Sequence, residues 1–280
     1  MFAAVTIAAL TSANAKMFTS NEPSQIYMWN QFKLEHAKEY TASEDVSRFA
    51  HFINNLKLID ERNAEDGAVH GINKFSDLSR EEFASKMLTG KQNVNRSSMK
   101  VRAPGATPAA AGVVDWTGVY TTPVKDQGYC GSCWAFSAVE QIESDVMRQV
   151  GETYILSPQQ VTSCDKTAFG CGGGWTEHAY EYVQRAGGIE TESNYPYTSG
   201  KAGVTGDCNA DSSKEVVNIN GYTTINGESN MATYVESTGP LSVCVDANSW
   251  STYKSGIMTK CGSSVDHCVQ AVGVDASSSG

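Results

Sequence analysis

Apolar positions recur with helical spacing through the first part of the chain and gather into short strand-like runs near its end. Residues 24 to 63 read as helix, with IYMWNQFKLEHAKEY followed by a long segment from Glu44 to Asn63. In that segment Glu44, Arg48, Phe52, Asn55, Ile59 and Asn63 recur at spacings of three and four, which puts them on one helix face, with Glu44 and Arg48 in the favourable acid-first order. Ser79 with Glu82 forms a capping box for a further short helix. Beyond Cys133, the residues Phe136, Val139, Ile142, Val146 and Val150 keep the same spacing, and Gly151 follows as a C-terminal cap. Ser157-Pro158-Gln159-Gln160 supplies a serine N-cap, a proline at the first helical position and a glutamine at the third, so a short helix begins there and leads into Cys164. After Cys208 strands are expected at GYTTI (221 to 225), at 239 to 246 and at 267 to 274.

Between about 91 and 112 the periodicity gives way to Asn, Ser, Pro, Gly and Ala, as in an exposed linker with a cleavable junction. The mature start is expected within 103 to 113, which leaves the sequon Asn95-Arg96-Ser97 in the discarded part. A chain of 280 residues with 40% hydrophobic content can bury a sizeable core. Its net charge of -10 argues against a nucleic-acid partner, which needs clustered cations. Eight cysteines point to an oxidising compartment. Residues 1–15 agree, with an apolar run from Phe2 to Leu10 and then Ala13-Asn14-Ala15 as in a signal peptide. No basic residue precedes that run, so either the signal is atypical or the true start lies upstream. No later stretch approaches the ~20 apolar residues of a membrane span. The expectation is a soluble monomer of the secretory pathway, in a lysosome or vacuole or outside the cell.

The candidate chemistry lies at QGYCGSCWAF, residues 127 to 136. Cys133 falls at or near a helix N-terminus, where unpaired N–H groups and the helix dipole favour the thiolate. His267, in Val-Asp-His-Cys, lies 134 positions downstream, inside the ~130–150 spacing of one class of cysteine peptidases. A redox or zinc site at Cys130 and Cys133 is the competing reading, but no second Cys-x-x-Cys and no His-x-x-x-His follows. No metal or organic cofactor is called for.

QGYCGSCWAF closely resembles the active-site segment of the papain and cathepsin L family of cysteine peptidases. The helix face Glu44, Arg48, Phe52, Asn55, Ile59, Asn63 resembles the E-R-F-N-I-N signature of that family's inhibitory propeptides, and Gly71, Asn73, Phe75 and Asp77 resemble the G-x-N-x-F-x-D motif of the same propeptides. The resemblance implies an α+β, papain-like two-lobed fold, with a helical left lobe and an incomplete, β-barrel-like right lobe, preceded by a helical propeptide at 24–90. A linker at 91–112 and a peptidase domain at 113–280 follow, the latter opening on an early strand at Val113-Val114-Asp115-Trp116. It implies Cys133 as nucleophile, His267 as acid and base, and Gln127 as a donor to the oxyanion. It also implies disulfides Cys130 to Cys171 and Cys164 to Cys208, and substrate contacts at Gly173, Gly174, Trp175, Thr176, Cys244, Val265, Asp266 and Cys268. Of these, Cys244, Val265 and Cys268 would face Trp175 and Thr176 across an apolar second specificity pocket. The glycines would let the substrate backbone lie close. Asparagine is usual in the family where Gly172 stands. Cys244 and Cys268 could also bond to each other if their strands are neighbours. The substrates would be proteins or peptides, and the propeptide would inhibit its own chain until acid releases it, through carboxylates such as Glu44 and Asp77.

The chain stops at Gly280, before the family's Asn-Ser-Trp-Gly segment, so the asparagine that orients the histidine and the expected partner of Cys261 have no counterpart here. The favoured expectation is an incomplete copy of a normal enzyme. The alternative is a defective homologue or a propeptide-type inhibitor.

Overall fold

The structure, a computed structural model, describes residues 22–88 and 112–275. The signal segment, the sequon and nearly all of the 91–112 linker lie outside the described residues. In chain order the elements are α1 (Glu22–Glu35), α2 (Ala42–Glu65), β1 (Val69–His70), α3 (Arg80–Met87), β2 (Val113–Asp115), α4 (Cys133–Val150), α5 (Pro158–Cys164) and α6 (Thr176–Ala186). They continue as β3 (Ile189–Glu190), α7 (Ser199–Ala202), β4 (Glu215–Val217), α8 (Glu228–Ser237), β5 (Leu241–Val245), β6 (Tyr253–Ser255), β7 (His267–Ala271) and β8 (Gly273–Asp275). The chain divides into two compact units, one running to Arg80 and including 249–261, the other holding 81–248 and 262–280.

In the first unit α2 opens on a capping box. The Thr41 Oγ1 accepts from Glu44 N–H, and the Glu44 carboxylate accepts from Thr41 N–H at 3.0 Å. Glu44 therefore acts mainly at the cap, where the Thr41 hydrogen bonds depress its pKa, while Arg48 donates to the Asp77 carbonyl at 3.2 Å. The expected Glu44–Arg48 pairing is the lesser interaction. Trp29, Phe32, Phe52, Leu56 and Ile59 form the unit's apolar core. Each such side chain contributes roughly 1.5–3 kcal/mol when taken out of water.

The two asparagines of the α2 face have a separate task. Asn55 Nδ2 donates to the carbonyls of Ser76 and Leu78 at 2.8 and 2.9 Å, and Asn63 exchanges two hydrogen bonds with the His70 backbone. A carboxamide suits such work because it offers both donor and acceptor. Asn73 closes its own turn by accepting from Phe75 N–H, and the buried Asp77 accepts from Lys38 and Tyr40. β1 pairs antiparallel with β6, and Arg62 donates to the Ser249 carbonyl and to the Thr252 hydroxyl. Asp66 accepts from Thr259, Ala68 and His70, bonds that hold its carboxyl well below the usual carboxylate range.

The second unit is built on α4. Trp134, Ala135, Ala138, Val139 and Ile142 are buried with residues of α5, α6, β3 and β4 in one core. Val150, expected on the same face, is exposed, because the helix has by then run past the core and ends at Gly151 in the left-handed conformation. The strand expected at 221 to 225 does not form: Tyr222 instead lays its ring 5.4 Å from that of Tyr180 and donates to Glu181, so its apolar character is used against α6 without a ladder. The run from 267 to 274 is two strands. β7 pairs with β5, β8 pairs with β2, and Val272 between them accepts from Trp116 N–H. Among the described residues every sheet is two-stranded, so the mixed helix and sheet fold holds no closed barrel.

Candidate active site

Cys133 begins α4, with Ser132 as N-cap, and is 1% exposed. The segment arrives there under covalent control, since Cys130 is bonded to Cys171. Trp134 follows fully buried, its indole N–H donating to the Gly170 carbonyl. A Cβ on Gly174 would lie 2.6 Å from the Trp134 ring. Gly174 is therefore required by the packing of that ring, which is a different reason from the close substrate approach expected of it.

α4 is tied to β5 and β7 by polar residues on an otherwise apolar face. Ser137 Oγ donates to the Val269 carbonyl at 2.7 Å and lies 2.6 Å from Ser242 Oγ. Gln141 Oε1 accepts from Ser242 N–H at 2.7 Å, and Gln270 Nε2 donates to Ser144 Oγ at 2.9 Å. Ser137 to Ser144 along the helix thus corresponds to Val269 to Gln270 along β7, so both run in one sense. The α4 residues that make these ties, Ser137, Gln141 and Ser144, were not singled out in the sequence. Their signal was Ser, Gln and Ser at i, i+4 and i+7, polar residues on a face that should be apolar.

His267 stands opposite Val245 in the β5–β7 ladder. Burial lowers its pKa to about 4, so the imidazole is neutral at pH 7 in this state. Cys244 and Cys268, directly opposite each other in the same ladder, form a disulfide with Cα atoms 4.0 Å apart. Cys164 and Cys208 form the remaining bridge, and Cys133 keeps its thiol. Asp266 is buried, accepting from Ala247 N–H and from the Asn248 amide, and Val265 beside it is half-buried. Trp175 and Thr176 are buried at the start of α6, and Gly173 precedes them at the end of a 3-10 turn.

Gln127 directs its side-chain amide to two carbonyls, that of Cys130 at 2.9 Å and that of Met87 at 2.8 Å. Met87 and Leu88, both buried, end the stretch that precedes the linker, and a Cβ on Gly131 would lie 2.8 Å from the Leu88 carbonyl. The peptide at 87–88 therefore lies against 127–131. The propeptide-motif residues Phe52, Asn55, Ile59, Asn63, Gly71, Asn73, Phe75 and Asp77 belong to the first unit, where Asn55 and Asn63 tie α2 to the loop and strand that follow it. Among the described residues no group of three or more His, Cys, Asp or Glu could hold a metal ion, and no helix is long and apolar enough to cross a membrane.

Comparison with known proteins places this geometry in context. Residues 110–280 match the family described as papain family cysteine protease, and residues 29–83 match the cathepsin propeptide inhibitor domain. Cysteine proteinase B of Leishmania mexicana is 40% identical over 265 residues, which are 89% of this chain and 59% of that protein. The chain thus spans less than two thirds of that relative's length. Among solved structures, a recombinant stem bromelain precursor is 32% identical with a TM-score of 0.78, over 90% of this chain and 82% of its own. Digestive procathepsin L 3 of the Tenebrio molitor larval midgut is 32% identical with a TM-score of 0.76, over 89% of this chain and 84% of its own.

Proposed function

Given that this chain belongs to the papain family of cysteine proteases, in its cathepsin L-like branch and with a propeptide inhibitor domain, we propose that it is the zymogen of an endopeptidase whose nucleophile is Cys133. On this reading the Cys133 sulfur attacks the scissile carbonyl carbon, and the oxyanion accepts from Gln127 Nε2–H and the Cys133 backbone N–H. The His267 imidazolium protonates the leaving amine, and water, deprotonated by the same ring, then cleaves the thioester.

The observation that carries this reading is the Gln127 amide, which donates at 2.8 Å to a peptide carbonyl from the segment before the linker. Met87 supplies there what a substrate carbonyl would supply. Residues 24–90 act as the inhibitor, 91–112 is cut and 113–280 carries the peptidase part, in the lysosome, a vacuole or outside the cell. Burial holds the His267 pKa well below its ordinary value in this state; greater access of water to the ring on activation would raise it toward that value and let the thiolate–imidazolium pair form. Cys244, Val265 and Cys268 with Trp175 and Thr176 wall a pocket that prefers an apolar side chain two positions from the cut.

The test is an active-site-directed epoxide applied to acid-processed, full-length protein. Labelling at Cys133, lost in His267→Ala, and a roughly 100-fold lower kcat in Gln127→Ala are expected. Absence of label on Cys133, with inhibition of other cysteine proteases by the same material, would make the protein an inhibitor instead.

A further inference from the structure

Gln127 can serve an oxyanion only if its backbone is fixed relative to the first turn of α4, and one side chain spans the two. Tyr197 places its hydroxyl 2.9 Å from the Gln127 carbonyl and 2.6 Å from Ser132 Oγ. A phenol has one proton. Since it is donated to the Gln127 carbonyl, the Ser132 hydroxyl must donate to the Tyr197 oxygen, which orders the relay from Ser132 through Tyr197 to Gln127. Ser132 is fully buried and immediately precedes Cys133. The Tyr197 ring meets Phe136 of α4 edge to face at 4.7 Å, and its backbone N–H donates to the Glu192 carboxylate at 2.7 Å. Both ends of the residue are therefore held.

The chain after Tyr197 reinforces the same turn. Tyr129 N–H donates to the Gly200 carbonyl at 2.8 Å. Gly128, at φ +57°, comes so close to Gly200 that a Cβ would lie 2.6 Å from the Gly200 oxygen, while a Cβ on Gly200 would lie 2.6 Å from the Gln127 carbonyl oxygen. Two backbones in such contact leave the turn at 127–129 little freedom. Burial pushes the Tyr197 phenol up to about 12, so it stays a donor at any pH at which the protein works.

We infer that Tyr197 is a positioning residue for the oxyanion site, holding Gln127 in register with the N-terminus of α4 through its hydroxyl. The inference rests on the proposed roles of Cys133 and Gln127, and its test separates the two. Tyr197→Phe keeps the ring and its contact with Phe136 and removes only the relay. In processed protein it is expected to lower kcat about tenfold with KM within about twofold. It should weaken a peptide aldehyde, whose thiohemiacetal needs the oxyanion donors, by about the same factor. Alkylation of Cys133 by iodoacetamide, a displacement that forms no oxyanion, should be unchanged. In a Gln127→Ala background the same substitution should cost less than about twofold, because the group it positions is gone. If the fold does not tolerate Tyr197→Phe, Ser132→Ala breaks the other half of the relay and should show the same selective loss, smaller in size. Equal losses in aldehyde affinity and alkylation rate, or full additivity with Gln127→Ala, would overturn the positioning role while leaving the peptidase reading intact. No effect of Gln127→Ala on the aldehyde would overturn the oxyanion assignment itself and this inference with it.

Discussion

The two candidate reactants sit in regions held by different forces. Cys133 begins a helix whose neighbours Trp134, Ala135, Ala138 and Val139 are fully buried in a single core. His267 lies on a two-stranded ladder whose partner β5 is half-buried throughout, and that ladder is held by backbone pairing, by the Cys244–Cys268 bridge and by the Ser137 and Gln141 ties. The sulfur is placed chiefly by packing, with the Cys130–Cys171 bridge at its approach, and the imidazole chiefly by discrete bonds. Damage to the first should therefore appear as lost stability, and damage to the second as lost geometry before lost fold.

The largest expected effect is on the packed side. Trp134→Ala empties the centre of the core and leaves the Gly170 carbonyl without its indole donor, which should cost roughly 3–5 kcal/mol, measured by denaturant unfolding of the second unit's signal. Next is the bonded side. Replacing Cys244 and Cys268 together with alanine should cost roughly 2–4 kcal/mol, and processed protein should lose kcat more than its melting temperature alone accounts for. A kcat unchanged by removal of the bridge would erase the distinction between the two regions.

A further effect is in pH. Burial sets the folded pKa of His267 at about 4 against an ordinary value of 6.5. Between these values the unfolded chain binds a proton that the folded chain refuses, so this histidine's contribution to stability is highest above about 6.5 and falls as the pH drops toward 4. As the pH drops from 7.5 to 4, the melting temperature of Cys133→Ala protein should fall relative to that of the same protein carrying His267→Asn, because only the histidine bears the protonation penalty. Parallel curves would mean that the ring is not shielded in solution.

Much of the site was legible from local pattern. The helix beginning at Cys133, the short helix after Ser157 and the α2 face all follow from spacing and caps, which act between residues close in sequence. The same logic misread Tyr222, whose alternation suited a strand but whose neighbour is a helix, and it ran β7 and β8 together because a change of strand partner leaves no trace in a single run of residues. It also treated Glu44 as Arg48's partner, when the nearer Thr41 cap was available.

Residue order alone determined which residue types could do the chemistry and which segments would be helical, because the hydrophobic period and the helix caps are properties of short stretches. It could not show that Ser137, Gln141 and Ser144 tie α4 to two strands more than a hundred residues away, that Cys244 faces Cys268, or that Tyr197 links Gln127 to Ser132. Those contacts join distant segments whose hydrogen-bonding groups have many equivalent partners in the unfolded chain. Only the folded core, by excluding water and every other partner, selects one.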